Sequence, residues 1–202
     1  MSVPTTHPTP RRTPFRAAAL AVAAVSLALL AAACGGSGDA KPSTEHNAAD
    51  VTFAQQMIPH HEQAVEMAAL AETQGAGSEV RALARTIEGA QGPEIKKMSS
   101  WLKSWGEQVP DSDGMQGMGG TSGDAMPGMM TAQDMRELTT ARGAAFDDLF
   151  LTQMIEHHTG AIAMAAKERA AGRSEAAVDL AGTIRTSQTA EVAQMRKLLA
   201  AG

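Results

Sequence analysis

A chain of 202 residues is long enough for one compact domain with tails, and its formal charge of −5, with no basic patch, speaks against nucleic acid as a partner. Its apolar content rests on Ala, Leu, Val, Ile and Met, with 3% aromatic residues and no tyrosine. Ala costs least to order in a helix and β-branched runs are few, so the composition predicts an all-α protein.

Residues 1–33 read as a cleaved export signal. Arg11, Arg12 and Arg16 form a positive leader, residues 17–33 are an uncharged apolar run that is short for a membrane span, and small residues close it. The join Leu30-Ala31-Ala32-Ala33-Cys34-Gly35 resembles a bacterial lipobox, with Ala31 where Leu is usual. That resemblance implies cleavage before Cys34 and lipid attachment to its sulfur, which would hold the protein on the extracytoplasmic face of the cell membrane. The alternative, an ordinary secretory signal, leaves an exported thiol without a pairing partner. Arg11-Arg12 hints at twin-arginine export, but the surrounding residues match that signal poorly. Residues 34–49, rich in Gly, Ser, Pro and charge, read as a lipidated cysteine and a flexible tether.

The next segment is duplicated. Residues 50–102 align with residues 147–199 without a gap, and Phe53, Gln56, Met57, Ile58, His60, His61, Ala64, Met67, Gln91, Glu94 and Met98 recur identically. Each copy predicts a helix, a turn (Gly75-Ala76-Gly77 and Gly172-Arg173-Ser174) and a second helix. Neither hairpin buries its apolar face alone, so the expected domain is a four-helix bundle over residues 50–202. Its parts are hairpin 1 (50–105), a Met/Gly-rich linker (106–131) and hairpin 2 (132–200).

The apolar seam of the first helix is Phe53, Met57, His60, Ala64, Met67 and Ala71, in alternating steps of four and three. In the second helix it is Ala84, Ile87, Gln91, Glu94, Met98, Trp101 and Trp105. Polar residues thus recur at core positions, where each needs a partner or a ligand. Counting from the turn brings His60 level with Gln91 and Glu94, and His157 level with Gln188 and Glu191. Adjacent histidines diverge by about 100° on a helix, so one of each pair is expected to face the seam and the other its edge. Pro59, replaced by Glu156 in the repeat, is expected to kink or loosen the first helix beside His60.

Met57 shares a helix face with His60 or His61, and Met154 with His157 or His158. Carboxylate di-iron bundles present Glu-x-x-His at this spacing; here the acid is replaced by a thioether, which favours soft Cu(I) over iron. Glu94 and Glu191 remain to orient imidazole N–H groups. Met67 and Met164 either pack or close a further site, and Met98 and Met195 read as core. The linker methionines, including Met126, Met129 and Met130, are exposed or fold back on the bundle and are candidate auxiliary metal sites. The plainer alternative makes every methionine filler and satisfies each histidine with Gln or Glu.

"FAQQMIPHHEQAVEMA", "AMPGMMTAQDM" and "FDDLFLTQMIEHHTGAIAMA" resemble the signatures of the bacterial domain-of-unknown-function 305 family. That ferritin-like bundle group includes periplasmic copper-binding proteins of the CopM type. The resemblance implies binding of Cu(I), with Ag(I) as a second soft ion, and a part in copper handling or resistance together with copper-transport proteins. By motif position it associates Met57, His60, His61, Met67, Met154, His157, His158 and Met164 with the metal. No catalytic constellation is present: there is no Ser-His-Asp set and no phosphate loop. The competing expectations are a di-metal oxidoreductase using His60, His157, Glu94 and Glu191, and a metal-free interaction bundle whose polar layer fixes register.

Overall fold

The structure is a computed structural model that describes residues 45–111 and 126–201. The export signal, Cys34, most of the tether, and Met115 and Met118 of the linker lie outside the described residues. Among the described residues there are five α-helices and no strand: α1 (Ala48–Leu70), α2 (Ser78–Trp105), α3 (Ala132–Thr140), α4 (Ala144–Ala171) and α5 (Glu175–Leu199). The four long helices are those expected, joined in pairs by the two predicted turns.

The short α3 is an addition at the start of the segment assigned to hairpin 2. Thr131 and Asp134 cap it reciprocally, a pattern visible as Thr-x-x-Asp. It ends before Gly143, whose φ of 56° turns the chain into α4. Asn47 and Asp50 make the same kind of reciprocal cap on α1. α1 continues unbroken through Pro59, so that proline does not end or divide the helix beside His60.

Within each hairpin α1 packs on α2 and α4 on α5, while α1 and α4 meet in the middle. They run antiparallel: Asn47 Nδ2 donates to the Ala171 carbonyl at 2.8 Å, and Gly143 N to the Gln74 carbonyl at 2.9 Å. The two repeat-related aspartates tie the hairpins together. Asp50 accepts from Arg173 N and Ser174 N in the second turn, and Asp147 accepts from Gly77 N in the first. Each copy therefore caps the outer helix of the other, a reciprocity that follows from duplication with twofold packing.

One end departs from this symmetry. Glu168 occupies the position of Ala71 in the first copy and is buried against Asp50. Burial, then the neighbouring Asp50, pushes its carboxyl up to about 8, so it keeps its proton at neutral pH. Burial alone would raise Asp50 too, but the neighbouring Glu168 and the backbone N–H groups of Asn47, Ser174 and Arg173 outweigh it and hold that carboxyl below its usual range.

Two apolar clusters fill the interior, and each draws on both copies. One contains Met67, Phe146, Phe150, Met154 and Met195; the other Phe53, Met57, Met98, Met164 and Ile184. Trp101 and Trp105 lie partly exposed at the margin of the second cluster rather than within it.

Candidate metal centre

All four histidines of the repeated pairs are fully buried, the member at the edge of the seam as well as the one that faces it. The reason is that α1 and α4 are central helices. Ile58, His61 and Ala68 are buried as well as the predicted seam, and each helix is covered on several sides.

His60 and His157 meet between α1 and α4, their ring centroids 3.8 Å apart and the rings tilted by 44°. His61 and His158 turn toward the outer helices. His61 Nε2 lies 2.8 Å from Glu94 Oε2, and His158 Nε2 lies 2.7 Å from Glu191 Oε2. The two contacts are copies of one another, and the acids are only 16% and 13% exposed. Glu94 and Glu191 therefore do orient imidazoles, those of the second histidine in each pair. Gln91 and Gln188, level with them, do not: both side-chain polar atoms of Gln91 and the Oε1 of Gln188 are buried without a hydrogen-bond partner.

The acceptors determine the tautomers. A carboxylate offers no proton, so His61 and His158 donate through Nε2–H. His60 Nε2 lies 3.0 Å from the Pro127 carbonyl and must donate as well. In the neutral form of all three rings the lone pair is then on Nδ1, and each of these Nδ1 atoms is buried without a partner. His157 has neither nitrogen paired. Burial, reinforced by neighbouring His61, pushes the His60 imidazole down to about 3. Burial, then His60, His158 and His61, holds His157 well below the usual range. Both rings are neutral at physiological pH, the protonation state in which imidazole ligates metal.

Met57 and Met154 are fully buried, one in each apolar cluster. Met67 shares its cluster with Met154, and Met164 with Met57. The thioethers of each group thus come from opposite copies, an exchange that helix spacing alone cannot reveal. Met98 and Met195 are core, as expected. Of the linker methionines, Met130 is buried with Met154 and Met67, whereas Met126 and Met129 are half-buried.

Sequence reasoning missed the role of residues 126–131. The Pro127 carbonyl sets the His60 tautomer, and the buried side chain of Gln63 pairs with the backbone of Met130. One signal was available: Gln63 aligns with Gly160, a mismatch next to the matched histidines.

Among the described residues no three His, Cys, Asp or Glu side chains gather in a metal-holding group. The donors this layer offers a metal are imidazole nitrogens, with the buried methionines of the same two helices as further soft donors, while Glu94 and Glu191 are each engaged by a histidine. That set fits a soft monovalent ion better than a hard one.

Fold and site together define a class: a duplicated antiparallel helical bundle with a buried layer of imidazoles and, on the same two helices, buried thioethers. The family model for the domain of unknown function DUF305 matches residues 50–199, and the chain belongs to that family. It is similar to the crystal structure of a DUF305 protein from Streptomyces coelicolor, with 35% identity, a TM-score of 0.67 and coverage of 75% of this chain and 92% of that one. It is also similar to CopM in its Cu(II)-bound form, with 33% identity, a TM-score of 0.63 and coverage of 74% and 95%. A third relative is a DUF305 fragment from Deinococcus radiodurans, with 29% identity, a TM-score of 0.67 and coverage of 77% and 98%. CopM is also known in Cu(I)-bound, Ag-bound and apo forms. No curated protein matches the chain.

Proposed function

We propose that the protein binds Cu(I) outside the cytoplasm, as a lipid-anchored buffer or chaperone that captures the ion and passes it to copper-transport proteins. The observation that carries this reading is the set of three imidazoles whose Nε2 atoms are engaged and whose Nδ1 lone pairs are buried unpaired. Leaving such groups unpaired costs roughly 1–3 kcal/mol each, and a ligand for them offsets that cost. The CopM relatives, with Cu(I), Cu(II) and Ag bound in their structures, support the same reading, and Ag(I) is the expected surrogate. Iron is disfavoured because Glu94 and Glu191 are each already engaged by a histidine. Met126 and Met129, half-buried beside the site, supply thioethers for initial capture, and Cys34 supplies the anchor.

The test is a titration of residues 35–202 with Cu(I) against a chromophoric chelator, alongside a variant with Met57, His61, Met154 and His158 all replaced by Ala. Tight binding by the native sequence, lost in the variant, is expected. Failure of the native protein to retain Cu(I) under reducing conditions overturns the proposal.

A further inference from the structure

Residues 126–131 cross the middle of α1 and α4, and three features hold them there. Gln63, buried on α1, donates from Nε2 to the Met130 carbonyl at 3.0 Å and accepts from Met130 N on Oε1 at 2.7 Å. One side-chain amide thereby satisfies both polar groups of one peptide residue, as a neighbouring strand would. The Pro127 carbonyl lies 3.0 Å from His60 Nε2. On the other side α4 presents Gly160, where a Cβ would stand 1.8 Å from the Pro127 oxygen and 2.9 Å from Gly128 Cα. Gly128 has φ +78°, and a Cβ there would meet the Glu156 carbonyl at 2.6 Å.

Gln63 and Gly160 are the same position of the duplicated sequence. In one copy that position grips the strap, and in the other it makes room for it. Glycine inside a helix costs about 1 kcal/mol relative to alanine, so its presence in α4 needs a reason, and the close backbone approach supplies one. The twofold symmetry of the core is broken at this position to seat one segment over the two touching histidines.

We propose that residues 126–131 form a latch over the His60–His157 pair, with Gln63 as its catch, and that opening of the latch sets how fast metal enters and leaves the layer. Gln63 is a positioning residue in this scheme: it offers the metal no donor, because both its polar atoms are committed to Met130. The proposal rests on the metal-binding reading above.

The test uses the full chain and two variants, Gln63→Leu and Gly160→Ala, which release the strap from opposite sides. Gly160→Ala also favours the α4 helix itself, so it tests the latch without loosening the bundle. In metal-free protein, hydrogen exchange over residues 129–131 is expected to be at least about tenfold faster in both variants, because two backbone pairings are lost or displaced. Transfer of bound Cu(I) to a chelator is expected to accelerate by about tenfold or more, and by more than equilibrium affinity falls, since the imidazoles stay in place and only the Pro127 acceptor of His60 is displaced. Unchanged exchange in both variants overturns the latch, as does faster exchange with unchanged transfer. If no protein retains Cu(I), the functional reading falls and the gating with it, while the metal-free exchange still reports separately whether Gln63 holds the strap.

Discussion

Replacing Glu94 and Glu191 together with Gln is expected to lower Cu(I) affinity by about 10- to 100-fold while the bundle stays folded. Each carboxylate lies within 2.8 Å of a buried Nε2 and draws on its proton, which makes the opposite nitrogen, Nδ1, a better donor to metal. Glutamine is nearly isosteric and its carbonyl still accepts from Nε2–H, so ring orientation and tautomer survive. What is lost is the negative charge that strengthens the donor. The acids are not themselves ligands in this arrangement, so a complete loss of binding would mean that they coordinate directly. Competition against a chelator of known affinity measures the change, and circular dichroism confirms the fold. Unaltered affinity would remove the acids from the metal site altogether.

The second large effect is on stability and has the opposite sign from most core substitutions. His157→Leu is expected to stabilise the metal-free protein by about 1–3 kcal/mol, because leucine of similar volume replaces a buried imidazole with neither nitrogen paired. It is also expected to alter the pH dependence. His157 and His60 bind protons when unfolded, near 6.5, but are held neutral when folded, His60 down to about 3. The unfolded chain therefore carries more protons at acid pH, so native stability falls as pH drops below about 6.5. Removing His157 takes away one of these contributions, and the decline between pH 6.5 and 4 becomes shallower. Denaturant midpoints across that range measure both effects. Stability lost by a kilocalorie or more would instead make the polar layer structural, the role it has in a metal-free bundle.

Much of this architecture is legible in the sequence because the duplication announces it. The aligned Met-Ile-x-His-His stretches place two helices, their seams and the level of Glu94 and Glu191 before any coordinate is known. The assignment of the acids to His61 and His158, rather than to their neighbours, is not legible. Both members of a pair lie within one turn, and only the packing of α1 on α4 decides which faces inward and which faces the outer helix. The grouping of Met67 with Met154 depends on the same crossing. The latch was hidden for a different reason: its Gly-rich, Met-rich composition reads as linker, and it is ordered by Gln63 and Gly160, which are remote from it in the chain. α3 was readable from its capping box but lay beside the stronger repeat signal.

Binding of soft metal through the three buried Nδ1 atoms is the central claim, and nitrogen-15 NMR of the histidine side chains of residues 35–202 during Ag(I) addition tests it most directly. Coordination through Nδ1 predicts that the Nδ1 resonances of His60, His61 and His158 move away from their unprotonated positions while their Nε2 atoms stay protonated. Shifts at Nε2 instead, or Ag(I) bound with all three Nδ1 resonances unmoved, would contradict it.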